Sequence, residues 1–216
     1  MQIEKMQDFF EARIDEYEAH MLNVVEGCQQ GYAKMAELLP PDTANLLDLG
    51  CGTGLELDEI FSRHPAIHVT GIDLTKAMLH KLMEKHPDKD LELIHASYFD
   101  YDFGKERFDA AVSFETMHHF SKEKKLLLYT RIYEAIKPGG VYIECDYMVD
   151  SQSEEDFFAS ENQRIRKEQQ LAENEFYHFD TPCSVDNQKE LFLRAGFKTV
   201  QMVWRVKNTV LITAWR

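Results

Sequence analysis

Apolar runs recur through the middle of the chain near 45–49, 67–72, 91–95, 108–113 and 140–146. Between them lie segments 55–64, 75–86 and 121–137, whose apolar residues return every three or four positions. Short continuous apolar runs read as strands buried on both faces, and the longer period reads as helix. Strand and helix in alternation predict a parallel sheet covered by helices on both sides. Ahead of it, residues 2–20 and 22–39 read as two helices, the second closed by Pro40-Pro41-Asp42. Past residue 150 the pattern changes. Ser151 to Glu175 is polar and free of Pro and Gly, so it reads as a long surface helix or a pair, with Phe157, Phe158, Ile165 and Leu171 as its large apolar contacts. A helix at 185–195 leads through Gly196 into two β-rich runs, 197–204 and 209–215, expected to pair as an antiparallel hairpin at the sheet edge. The expected fold is a doubly wound α/β domain: a mostly parallel seven-stranded sheet with a C-terminal antiparallel hairpin and helices on both faces. Residues 1–216 form one domain in this reading, with a helical lid at 1–40, a core at 41–150, a helical insertion or second lid at 151–180, and a helix plus hairpin at 181–216.

One stretch carries chemistry. In Leu46-Leu47-Asp48-Leu49-Gly50-Cys51-Gly52-Thr53-Gly54, an apolar strand runs through an acid into glycines at alternate positions. Glycine there lets the backbone turn tightly and approach a ligand closer than any Cβ allows. The helix beginning at Leu55 offers its N-terminus to the same ligand. Asp73, ending the run Ile67-His68-Val69-Thr70-Gly71-Ile72, stands where a carboxylate can accept from two ribose hydroxyls. The dinucleotide spacing G-x-G-x-x-G would need glycine at 55, which is Leu55, and no Lys-Ser or Lys-Thr pair follows to make a phosphate-binding loop. A nucleoside ligand without phosphates remains.

The pattern D-x-G-x-G-x-G, with an acid at the end of the next strand, resembles the S-adenosylmethionine (SAM) site of class I methyltransferases. The resemblance continues in order through Val69 to Leu79, Leu91 to Phe99, Phe108 to Phe120, and Lys137-Pro138-Gly139-Gly140 with Val141 to Glu144. It implies a cofactor site built from Asp48, Gly50, Cys51, Gly52, Gly54, Asp73, Leu74, Ser97, Tyr98 and Phe114. Ser97 stands where the family often has an adenine-binding Asp. In related small-molecule methyltransferases a tyrosine of an N-terminal helix reaches the cofactor, which points to Tyr17; packing with Phe9, Phe10, Ile14 and Met21 is the competing explanation. Asp48 reads as an orienting group for the loop and the cofactor's methionine amine, and Cys51 as packing rather than a nucleophile. Residues 185–197 and the terminal hairpin also look like the bacterial carboxy-SAM-dependent tRNA wobble-uridine methyltransferase. That enzyme uses a lid arginine for the extra carboxylate, whereas Gln170-Leu171-Ala172-Glu173-Asn174-Glu175 has none. Ordinary SAM, released as S-adenosylhomocysteine, is therefore expected.

Composition narrows the partner. The formal charge is −14, and nucleic-acid binding leans on many Lys and Arg contacts, so a small-molecule acceptor is favoured over nucleic acid. The basic clusters Arg164–Lys167 and Lys122–Lys125 read as solvated helix faces. Four cysteines without CxxC spacing, no N-terminal apolar leader and no membrane-length apolar stretch suggest a cytoplasmic chain with reduced thiols and no membrane partner.

Methyl transfer from a sulfonium is a direct in-line displacement, so positioning is most of the chemistry. A base is needed only where the acceptor arrives protonated. Candidates are His118 or His119 after the fourth strand, Tyr147 after the fifth, and Tyr177-His178 in the lid, with His118 and Tyr147 foremost; each also has a plain packing role. No metal is expected, because adjacent histidines seldom share an ion and no carboxylate lies at supporting spacing. Alternatives are a non-catalytic SAM-binding regulator, a tRNA-modifying methyltransferase, and an NAD-dependent oxidoreductase.

Overall fold

A computed structural model of the chain describes residues 2–172 and 175–216. Its centre is a seven-stranded sheet: β1 (Asn45–Leu49), β2 (His68–Asp73), β3 (Leu91–His95), β4 (Phe108–Phe114), β5 (Ile136–Tyr147), β6 (Thr199–Val206) and β7 (Thr209–Trp215). The strand order is β3-β2-β1-β4-β5-β7-β6. The first five strands pair in parallel, and β7 runs antiparallel between β5 and β6. The hairpin is therefore present, although β6 begins two residues later than the apolar run and places β7, not itself, against the parallel sheet.

Side-chain alternation along each strand feeds two cores, one per face. Leu47 and Leu49 of β1, Tyr142 of β5 and Val210, Ile212 and Ala214 of β7 enter one of them. That core also takes Leu128, Tyr129 and Ile132 from α6 (Lys122–Ala135) and Leu191 and Phe192 from α8 (Val185–Ala195). Leu46, Val112, Val141, Ile143 and Leu211 point the other way, onto α3 (Cys28–Leu38), α4 (Leu55–Arg63) and α5 (Lys76–Lys85).

Local signals explain where these helices start. Ser121 accepts from the Lys124 amide at the head of α6, Ser184 from the Asn187 amide at the head of α8, and Ser151 with Glu154 closes a capping box on α7 (Gln152–Glu168). The N-terminal region differs from the expected pair of long helices. It forms α1 (Met6–Ala12), α2 (Tyr17–Asn23) and α3. The second break falls at Gly27, at φ 84°, where an added Cβ would meet Val206 at 3.0 Å. Lys125 departs from the solvated face expected of its cluster. It is buried, and its Nζ donates to Gln188 Oε1 at 3.3 Å and faces Cys183 Sγ at 3.5 Å. Arg164 does behave as expected, pairing with Glu161 and Glu168 along α7.

Strand β1 is flanked by β2 on one side and β4 on the other, so consecutive connections leave it in opposite directions. A crevice opens there at the carboxyl ends of the strands, the place where open α/β sheets hold ligands. Lys5 bridges Tyr177 and the Met6 amide donates to Phe176 O, so the N-terminal helices and the 175–182 segment cover that crevice together.

Candidate active site

The glycine turn sits at the tip of β1. Gly50 has φ 75°, and a Cβ there would lie 2.7 Å from Thr116 Oγ1. Gly52, at φ 49°, presents bare backbone to the crevice; a Cβ would stop 3.5 Å from the Tyr17 hydroxyl. The Gly50 and Cys51 amides donate to Ile72 O, which locks the turn to the end of β2. Asp73 completes the frame: its two carboxylate oxygens accept from the Gly52 amide at 2.9 Å and the Thr75 amide at 2.7 Å. The Thr75 side chain bonds the same carboxylate, and the acceptor capacity that remains is available to a ligand hydroxyl. Burial raises the Asp73 carboxyl, and the Thr75 and Gly52 bonds oppose that rise.

Behind the turn lie two carboxylates with an unusual environment. Asp48 is fully buried, and the side chain it meets is the Glu56 carboxyl. Burial, followed by the neighbouring Glu56 carboxylate, drives its pKa well up; burial also lifts Glu56, to about 7. Two buried acids this close hold on to a proton unless a cation arrives.

The loop after β3 supplies the opposite wall. Arg131 of α6 donates to Tyr98 O at 3.2 Å and Phe99 O at 2.6 Å and also bonds Tyr101 O, so one guanidinium pins the loop. The Tyr98 hydroxyl bonds Thr116 Oγ1 at 3.1 Å, tying this loop to the one after β4. Ser97 Oγ accepts from the Phe99 amide and retains its own hydroxyl proton for a ligand.

Most of the site residues expected from sequence meet here. Tyr17, Gly50, Gly52, Asp73, Leu74, Ser97, Tyr98 and Phe114 line one narrow cleft of about 60 Å³. Asp48, Cys51 and Gly54 stand behind it rather than on its surface: Cys51 packs against Gly71, and Gly54 caps α4 under Leu82. Glu173 and Asn174, part of the acidic stretch at 170–175, lie outside the described residues. His118 and Tyr147 are elsewhere, on the wall of a second, much larger cavity of about 1210 Å³. The two spaces share Phe10, Tyr17 and Glu115.

Sequence reading missed several groups in that cavity. Glu115 follows β4 at φ 49°, a backbone state that costs a non-glycine residue on the order of 1 kcal/mol. Burial raises its carboxyl to about 8, against the pull of His118. His118 Nδ1 lies 2.7 Å from buried Asp146 Oδ1; burial works against the imidazolium, but Asp146, Asp180 and Glu115 together raise its pKa to about 9. His119 and His178 shift the other way, His178 to about 4, through burial and neighbouring histidine charge. His178 stacks on Phe9 with ring centroids 3.6 Å apart. A non-glycine φ is invisible in sequence, and Asp146 and Asp180 reach His118 only through tertiary packing.

Residues 46–140 match the model of the methyltransferase domain family. That segment is a methyltransferase domain. Among curated proteins, it is 26% identical over 187 residues to a carboxy-S-adenosyl-L-methionine synthase of Campylobacter fetus, covering 80% of this chain and 77% of that protein. Among solved structures, it resembles the S-adenosylmethionine-dependent methyltransferase SibL (TM-score 0.68, 15% identity, 97% of this chain) and human N-acetylserotonin methyltransferase in complex with SAM (TM-score 0.66, 16% identity, 97% of this chain). The chain spans 58% and 55% of those two molecules. At such identities the likeness is one of fold. SAM is the cofactor of this methyltransferase domain.

The residues present suit that cofactor: bare glycine backbone at Gly50 and Gly52, the Asp73 carboxylate at the end of β2, and, behind the turn, a buried Asp48–Glu56 carboxyl pair whose ionised form a nearby cation would favour. Among the described residues no helix is long and apolar enough to cross a membrane.

Proposed function

We propose that this chain transfers a methyl group from SAM to a small-molecule acceptor. The observation that carries this reading is the 1210 Å³ cavity that shares Phe10, Tyr17 and Glu115 with the cofactor cleft. A space of that size, walled by aromatic rings and a few polar groups, suits a small organic molecule. Its rim cations are already engaged: Arg13 with Glu4, Arg205 with Asp150 and Lys207 with Glu26. The cavity lining sets five acids, Glu16, Glu26, Glu115, Asp150 and Asp180, against these three cations, a balance that argues against tRNA as acceptor.

SAM supplies an electrophilic methyl group when bound. Asp73 would hold the ribose, Ser97 and the loop around Tyr98 would meet the adenine, and the buried Asp48–Glu56 pair behind the turn would favour the methionine ammonium electrostatically. Tyr17 and Phe10 lie between cleft and cavity, where they exclude water and align the acceptor for in-line attack. Tyr147 would face the acceptor and handle its proton where it has one, and His118, with Nδ1 held by Asp146, lines the same space. The four cysteines are free and buried, which fits a reducing, cytoplasmic setting.

The cleft of about 60 Å³ is smaller than the ~300 Å³ at which ligand pockets usually begin. In this reading α1, α2 and the Phe176 segment, which cover the cleft, act as lids that move apart to admit the cofactor. Release of S-adenosylhomocysteine from SAM in the presence of a panel of amines, phenols and carboxylic acids tests the reading. Turnover with one acceptor class supports it. Tight cofactor binding without turnover on any of them favours a regulator, and conversion of SAM itself into a carboxylated product favours the chemistry named for the Campylobacter relative.

A further inference from the structure

We propose that His118, His119 and Asp180 form a binding site for one divalent transition-metal ion, with open coordination positions facing the large cavity. His118 Nε2 lies 3.6 Å and His119 Nδ1 3.4 Å from the same oxygen, Asp180 Oδ1, and the three donor atoms fall within 4.8 Å of one another. Two ligands each ~2.1 Å from a zinc-like ion and separated by a tetrahedral angle stand roughly 3.4 Å apart, so both histidines are already at ligand spacing from the carboxylate. Of the two obstacles seen in the sequence, the missing carboxylate is removed because the fold returns Asp180 to the pair, and the adjacency of the histidines is met by His118 offering Nε2 and His119 Nδ1 within 4.8 Å of each other. The Thr181 amide and hydroxyl both bond His118 O, at 2.6 and 3.1 Å, and hold Asp180 there.

Two further observations point to a ligand. The His119 side chain is 3% exposed, and the one group that its Nδ1 faces is the Asp180 carboxylate, at 3.4 Å, too long and poorly directed for a full hydrogen bond. His118 Nδ1 is bonded to buried Asp146, the arrangement in which a carboxylate orients a metal-ligating imidazole and directs the other nitrogen at the ion. Two imidazoles and one carboxylate suit zinc, cobalt or ferrous iron better than magnesium or calcium. All three ligands line the cavity, so an ion held there keeps positions for an oxygen or nitrogen of the acceptor. Ligation of the acceptor rests on the methyl-transfer reading; binding of the ion does not.

The test titrates Co²⁺ and then Zn²⁺ into chelator-treated, tag-free protein, read by visible absorption and calorimetry, with Asp180→Asn and His119→Ala beside the exposed control Asp186→Asn. The site predicts one equivalent of Co²⁺ with d–d bands that Zn²⁺ displaces. Affinity should fall at least about tenfold in both ligand variants and stay unchanged in the control. Asp180 is part-exposed in a loop, so Asp180→Asn is the milder change; melting temperature and S-adenosylhomocysteine affinity near those of the parent verify that it folds. Absence of stoichiometric binding, or binding indifferent to both ligand variants, would overturn the proposal. Failure of methyl transfer with any acceptor would leave this result standing.

Discussion

Tyr17 is, with Phe10 and Glu115, one of three residues shared by the narrow cleft and the large cavity, and its chemistry is simple. Burial, helped by Glu56 and Asp73, pushes its phenol well above the ordinary range, so it acts as a neutral hydrogen-bond group. Tyr17→Phe keeps the ring and removes only the hydroxyl. Loss of one such bond costs ~1 kcal/mol, so S-adenosylhomocysteine should bind about five-fold more weakly with the melting temperature unchanged; calorimetry that finds equal affinity would assign Tyr17 to packing alone. The residues legible in sequence, Gly50, Gly52 and Asp73, are those whose roles follow from backbone geometry within one turn. Ser97 and Tyr98 were legible only by resemblance. Glu115, Asp146 and Asp180 were not legible, because each acquires its surroundings from neighbours brought close by the sheet or by the segment folded over it.

At the scale of elements, strands and core helices followed directly from apolar spacing, because each buries a face against the sheet and the period records that face. The N-terminal helices were misjudged, since α1 and α2 are short, lie over the crevice and keep exposed faces that blur the period. That position makes a prediction. Binding of S-adenosylhomocysteine should slow hydrogen exchange in α1, α2 and residues 175–182 as well as in the glycine turn; protection confined to residues 46–120 would contradict a lid role. A second prediction concerns the network joining α6, β5 and α8. Tyr129, Tyr142 and Gln188 all donate to the Glu144 carboxylate, and Lys125 donates to Gln188. Lys125→Met removes the cation from a buried, otherwise satisfied network. The cost should be ~3 kcal/mol, a fall in melting temperature of about 6–12 °C, with secondary structure retained. A variant as stable as the parent would mean that the ammonium contributes nothing there.

The whole molecule carries 38 acidic against 24 basic side chains, and some of the acids are buried. Glu56 is lifted to about 7 and Glu144 to about 8, in both cases by burial first. A carboxyl whose pKa is higher folded than unfolded binds its proton more tightly in the native state. Its stabilisation is complete below the unfolded value near 4.5 and is lost as pH rises toward the folded value. Thermal stability of the ligand-free protein should therefore decline between about pH 5 and pH 8, and a melting temperature rising across that range would refute the assignment. Cofactor binding should run the other way, because ionised Asp48 and Glu56 attract the methionine ammonium. The central claim is that the turn from Gly50 to Gly54, clasped by Asp73, is where SAM binds. Its most direct measurement is calorimetric titration of S-adenosylhomocysteine into the parent protein, Gly52→Val and Asp73→Ala, with circular dichroism on each. Saturable binding by the parent, abolished in both variants while the sheet stays folded, is the predicted result; undiminished binding by either folded variant would contradict it.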